Sequence, residues 1–243
     1  MASDTIREIK GFFQQHLTPV VRWIFFINVG VLLMQYTVLA AIGWDGKFLY
    51  YFSQNPSLSI RRFQVWRFIT YMFLHGDGMH LLMNMFALWF FAPRLEMLWG
   101  GRNFLKFYFV CGIGAAIVHV IWGFIFGKND MMIGASGALY GILLAYAFNW
   151  PDDTVLMNFF IPMKVKYMVL LFGFVAFINS IGARASGSNI SHITHLGGLL
   201  TAFLYLRGWR FFKKTFFRRS QKRLVKRYYR DANGNIYTQI EEE

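Results

Sequence analysis

Long uncharged runs separated by short charged clusters dominate this chain, and few folds accommodate them. Apolar stretches of about 20 residues recur between Val20 and Leu206, each close to the length an α-helix needs to cross a bilayer. Hydrophobic residues make up 56% of the 243, above the ~45–50% apolar share of soluble domains. The pattern predicts an all-α, polytopic membrane bundle of six spans. These run at about Val20–Ile42, Met79–Trp99, Phe104–Phe126, Met131–Phe148, Lys166–Ile181 and Ile190–Leu206.

A net charge of +13 would suit a nucleic-acid binder if it were spread over one face. It is concentrated instead in a run from Arg207 to Arg230 that abuts the last apolar segment. A basic tail beside a transmembrane helix is what the positive-inside rule and anionic headgroups favour. Lipid contact, not nucleic acid, is therefore expected. Three regions follow: an amphipathic lead-in at 1–18, a membrane domain at 19–207 and a basic cytoplasmic tail at 208–243. Beyond Asp231 the tail is polar, and disorder is expected there. The lone Cys111 lies in an apolar run, which excludes a disulfide framework and a cysteine zinc site. Asp4 and Glu8 before the first apolar run argue against a cleaved signal peptide.

Six spans put both termini on one side. With the tail inside, the loops around 43–78, 127–130 and 182–189 face the exterior. The first of these carries Trp44, Phe48, Tyr50, Tyr51 and Trp66 beside Arg61, Arg62 and Arg67, a mixture suited to the interfacial zone. Without an organelle-type presequence, a bacterial inner (plasma) membrane is the expected location.

Polar residues inside apolar segments are costly and mark function by default. Here they open three helices on the same side. Ser136 lies in Gly134-Ala135-Ser136-Gly137, where a polar loop gives way to the fourth helix; His80 and Asn84 open the second; His192 and His195 open the sixth. A serine at a helix N-terminus sits among unpaired N–H groups and partial positive charge. Its hydroxyl becomes a useful nucleophile once a base takes its proton, and histidine is the usual base. His195 is the expected base, because Gly197 and Gly198 beside it allow the sixth helix close to Gly137 and Gly141 of the fourth. No acidic residue lies near, so a two-residue Ser–His dyad is implied. Tyr140, one turn below Ser136, is placed to stack on the imidazole. The Ser136 N–H with His80 and Asn84 forms a candidate oxyanion hole. His119, in the middle of the third span, and His192 are left without a role. No metal is expected, because the histidines have no carboxylate or thiol at their depth.

The ordered set Trp66-Arg67, His75, His80 with Asn84, Glu96, Gly134-Ala135-Ser136-Gly137, Tyr140, and His195 with Gly198 resembles the rhomboid family of intramembrane serine proteases. The resemblance covers about Trp66 to Ala202. It implies a rhomboid-like fold and an endopeptidase that needs no cofactor and cleaves in or near the transmembrane segments of other membrane proteins. It implies Ser136 as nucleophile, His195 as base, Tyr140 as the ring beneath it, and His80 and Asn84 as oxyanion donors beside Gly134. Trp66, Arg67, His75, Glu96 and Gly198 are implied as structural supports. Thr194 departs from the small residue often found before the base. The competing readings are a catalytically silent, rhomboid-like membrane chaperone or binding module, and a transporter. A transporter would show mid-depth charges or inverted repeats, and the sequence has neither.

Overall fold

A computed structural model describes residues 17–157, 160–182, 189–216, 224–230 and 236–242. Nearly all of the lead-in at 1–18, residues 183–188 of the last exterior loop, and Asn233-Gly234-Asn235 of the tail lie outside them. Two compact units are present, Met1–Leu204 and Tyr205–Glu243.

The larger unit is built from helices. The first, α1 (Pro19–Met34), continues as a π-helical turn at Gln35–Leu39. Three short helices follow, α2 (Asp45–Phe52), α3 (Pro56–Arg61) and α4 (Arg67–Thr70), and then α5 (Gly78–Trp99), α6 (Gly101–Phe126) and α7 (Ser136–Asn149). Strands β1 (Thr154–Met157) and β2 (Ile161–Lys164) precede α8 (Val165–Gly182) and α9 (Asn189–Phe216). Each expected span overlaps a helix, the fourth only from Ser136 onward. Among the described residues three segments, Pro19–Leu39, Gly78–Trp99 and Gly101–Phe126, are long and apolar enough to cross a membrane, and Val165–Ser180 is a shorter apolar helix. With 14 residues, α7 reaches about 21 Å.

That short helix is the centre of the unit. Gly137, Ala138, Leu139, Gly141, Ile142, Leu143, Ala145, Tyr146 and Ala147 are all buried. Glycine makes this possible. A methyl group on Gly141 would lie 2.6 Å from Cys111 Sγ on α6, and one on Gly137 would lie 2.7 Å from Ala115 Cβ. The outer helices turn large apolar side chains outward instead, among them Trp23, Phe26, Phe90, Ile121, Leu170 and Phe174. Apolar outside and close-packed small residues inside is the arrangement lipid favours.

Buried polar side chains hold the helix ends. Glu96, in the last turn of α5, accepts the backbone N–H groups of Val20 (3.0 Å) and Val21 (2.9 Å) and the Thr18 hydroxyl. One carboxylate thereby caps the positive end of α1 and ties it to α5. Arg67 is fully buried. Its Nη1 donates to the carbonyls of Tyr50 (2.7 Å) and Ser53 (2.5 Å), and its Nε donates to Gln64 Oε1. Trp66 Nε1 donates to the Tyr51 carbonyl, and Thr70 Oγ1 to that of Phe52. The four orphan carbonyls at the end of α2 are thus met by α4 and the residue before it.

At the far end of α7 from Ser136, Arg94 pairs with Asp153 at 2.5 Å and lies over the Trp150 ring at 4.0 Å. The neighbouring Asp152 takes Lys164 and Lys166, whose hydrogen bonds hold its carboxyl below the usual carboxylate range. These two aspartates fasten the β1–β2 connection to the helices around it.

Three expectations are corrected. The fourth helix starts at Ser136, not Met131, because Gly134 adopts a φ of +111° and Met132 pairs with Gln54 as an isolated antiparallel bridge. The all-α expectation fails at the connection around Pro162, which forms an antiparallel pair with Leu156 opposite Pro162. In the smaller unit the tail is not wholly irregular: β3 (Leu224–Arg230) pairs antiparallel with β4 (Ile236–Glu242), Leu224 opposite Glu242. The β-branched and aromatic residues Ile236, Tyr237, Thr238 and Ile240 favour a strand.

Candidate active site

The site is assembled from the N-terminal ends of α5, α7 and α9. Ser136 is the first residue of α7, and its N-cap, Ala135, has no side chain to take up the first N–H groups. Those donors are left for a ligand. His195 Nε2 lies 2.9 Å from Ser136 Oγ, within hydrogen-bond reach. The imidazole is stacked on Tyr140, with ring centroids 4.1 Å apart and planes 8° from parallel. His195 Nδ1 is buried and has no hydrogen-bond partner among the described residues. Among the described residues no carboxylate meets the ring; the flat face of Tyr140 does.

His195 reaches the serine because α9 meets α7 at backbone distance. A methyl group on Gly198 would lie 1.9 Å from the Gly137 carbonyl oxygen, so no residue with a Cβ fits there. Gly197 faces α6 in the same way, 2.9 Å from Val118 Cβ and 3.0 Å from Ala115 Cα. Ala202, one turn further on, is fully buried and small enough to continue the crossing.

The third side of the site comes from α5. Asp77 caps that helix by accepting the His80 N–H at 2.7 Å. The side chains of His80 and Asn84 both face Gly134: a methyl group there would lie 2.7 Å from His80 Nε2 and 3.7 Å from Asn84 Nδ2. Asn84 Nδ2 is a buried donor without a partner among the described residues, and a buried amide donor is costly unless something comes to accept from it. The Gly134 N–H, by contrast, donates to the Tyr71 carbonyl at 2.9 Å. Gly134 therefore contributes room and a positive φ, not a donor. His75 is fully buried and sits edge-on to His80, centroids 4.9 Å apart.

These groups line one cavity of about 450 Å³, with Ser136, His195, His80, Asn84 and Tyr140 on its polar side and Met83, Phe91, Met132, Leu143 and Phe172 among its apolar walls. A hydroxyl nucleophile, an imidazole acceptor and free N–H donors meet in a mostly apolar pocket. That set can carry out acyl transfer.

The residues singled out in the sequence do not all fall in the site. Trp66, Arg67 and Glu96 act at helix ends away from the cavity. His192 stands one turn before His195, its ring 6.3 Å away and nearly perpendicular; it is His195 that meets the serine. His119 instead meets Gln54, Nδ1 to Oε1 at 2.5 Å. Sequence reading passed over Gln54, Asp77 and Met132. No sequence signal marks the first; Asp-x-x-His before an apolar run was available for the second.

A helical membrane protein with a serine–histidine pair at a buried helix N-terminus is the class that this fold and site define. The chain matches the Rhomboid domain over residues 62–213 and belongs to the rhomboid family. It is 36% identical over 139 residues to RHOMBOID-like protein 6, mitochondrial, of Arabidopsis thaliana, covering 57% of this chain and 41% of that one. It is 30% identical over 155 residues to Rhomboid protein 1, mitochondrial, of Saccharomyces cerevisiae, covering 63% and 43%. It is also 31% identical over 150 residues to the rhomboid-family protein YdcA of Bacillus subtilis, covering 61% and 69%. The chain thus spans less than half the length of the first two.

Proposed function

We propose that this chain is an intramembrane serine endopeptidase that cleaves peptide bonds in or near transmembrane segments of other proteins. The observation that carries this reading is the 2.9 Å approach of His195 Nε2 to Ser136 Oγ in a cavity that also holds unpartnered donors. In the proposed reaction Ser136 Oγ attacks the scissile carbonyl carbon as its proton passes to His195 Nε2. The Ser136 N–H, Asn84 Nδ2 and His80 hold the oxyanion of the tetrahedral intermediate. Its collapse breaks the C–N bond, and the amine leaves with the proton from His195. Water, deprotonated by His195, then releases the acyl group from Ser136. No cofactor takes part.

The same reading gives α1, α5, α6, α7, α8 and α9 as six spans, with both termini cytoplasmic and residues 208–243 as a basic tail at the inner surface. The exterior then meets the Ser136 end of α7. Family membership selects a membrane; the mitochondrial and bacterial names among the relatives do not single out one organelle. Helix α8 is the proposed gate for substrate, since it exposes Leu170, Phe174, Phe177 and Ile178 and, among its described residues, only Phe172 lines the cavity. A disulfide between α8 and α5 should then stop cleavage, and cleavage that survives it would remove the gate.

The reading is tested with purified protein in liposomes and a labelled single-pass substrate. Wild type should cleave, and Ser136→Ala and His195→Ala should not, with folding intact. If wild type binds but does not cut several unrelated substrates, the chain is a binding module instead.

A further inference from the structure

The position of Ser136 is set by the irregular residues just before it, and what fixes those residues lies outside the site. Gln54 and Met132 exchange both backbone hydrogen bonds, at 2.9 and 2.8 Å. Nearby, Asn55 Nδ2 donates to the Asn129 carbonyl, and the Ser57 N–H donates to Asn129 Oδ1. The first loop therefore forms a short zipper with the segment leading into the nucleophile.

Backbone pairing alone does not call for a glutamine at 54. Yet this side chain is fully buried, and so are its partners His119 on α6 and Ser59 on α3. Gln54 Oε1 accepts from His119 Nδ1 at 2.5 Å, and Gln54 Nε2 donates to Ser59 Oγ at 3.4 Å. Burying an amide is unfavourable unless both ends are paired. Here both are: one by Ser59, five residues on in the same loop, and the other by His119 on the long helix α6. The chain of contacts continues past Met132. Its Sδ accepts from Thr194 Oγ1 at 2.7 Å, and Thr194 precedes His195. Met132 and Thr194 both line the cavity.

We infer that Gln54 and His119 are positioning residues: their side-chain bond locks the first loop, and through the Gln54–Met132 bridge it sets the loop before Ser136 against the residue preceding His195. This rests on the endopeptidase reading above. Neither side chain lines the cavity, so neither touches substrate. Their effect falls on the alignment of nucleophile and base, to which acyl transfer is sensitive at the level of an ångström.

The test compares Gln54→Leu, His119→Leu, the double variant and His119→Asn in liposomes. It measures kcat, KM, the rate at which a fluorophosphonate probe labels Ser136, and the melting temperature. His119→Asn retains a donor near the Nδ1 position. We expect each leucine variant to lower kcat and the labelling rate about tenfold, with KM within twofold. The double variant should be no worse than either single one, and His119→Asn should restore most of the rate. Unchanged kcat, a change in KM alone, additive losses in the double variant, or no rescue by asparagine at equal melting temperature would each overturn the inference. Should Gln54→Leu fail to fold, the two His119 variants decide alone. A wild-type chain that neither cleaves nor is labelled at Ser136 would overturn the endopeptidase reading, and this inference with it. Wild-type activity with indifferent Gln54 and His119 variants would overturn the inference only.

Discussion

Gly198 of α9 and Gly137 of α7 meet through bare backbone, so close that a Cβ on residue 198 would lie 1.9 Å from the Gly137 carbonyl oxygen. This crossing brings His195 to Ser136. Gly198→Ala must push the helices apart, and because the obstacle is backbone it has little room to yield. We expect a loss at or above the upper end of ordinary overpacking, about 3 kcal/mol, together with loss of cleavage. Gly30 on exposed α1 has nothing within 4 Å. Gly30→Ala should therefore stabilise by roughly 0.5–1 kcal/mol and leave cleavage untouched. Thermal melts in detergent read both; a Gly198→Ala protein that melts with wild type would contradict the crossing.

Tyr140 stacks on the His195 ring by its face, with no hydrogen bond to the imidazole. Tyr140→Phe keeps that face and should retain kcat within about twofold. Tyr140→Ala frees the ring and should lower kcat about tenfold or more with little change in KM, the pattern of lost alignment.

Asn84 offers a buried donor that no described residue accepts. If it meets an oxyanion, Asn84→Ala should lower kcat about 10²-fold, the usual cost of one such donor. Asn84→Asp should be no better, because a carboxylate only accepts. A KM effect without a kcat effect would place Asn84 in substrate binding instead.

His75 gives a signature in pH. Burial first, and His80 beside it second, push its pKa from 6.5 down to about 4, so it is neutral in the folded protein at pH 7. A depressed folded value means that the unfolded chain binds the extra proton first. Stability from the neutral ring is complete above about pH 6.5 and is lost as pH falls toward 4. Melting temperatures between pH 7.5 and 4 should fall less steeply for His75→Phe than for wild type, and equal slopes would contradict this.

The sequence displayed the site more fully than the scaffold beneath it. Ser136, His195, His80, Asn84 and Tyr140 were legible because polar residues are rare in apolar helices and these five open three of them on the same side. Gly198 was legible from its place three residues after the base. The start of α7 was not, since Met131-Met132-Ile133 is apolar and continues the helical run; the pairing of Met132 with Gln54, 78 residues earlier, and the positive φ of Gly134 keep it out of the helix. The role of Glu96 was likewise hidden, because capping α1 from α5 depends on which helix ends come together. The β3–β4 pair was missed because three terminal glutamates drew attention to charge over the alternation before them.

Activation of Ser136 by His195 is read by incubating the protein with a fluorophosphonate probe and mapping the adduct by peptide mass spectrometry. One adduct is expected, on Ser136, formed at least about a hundredfold more slowly in His195→Ala. No adduct on Ser136, or labelling of His195→Ala at the wild-type rate, would contradict that activation.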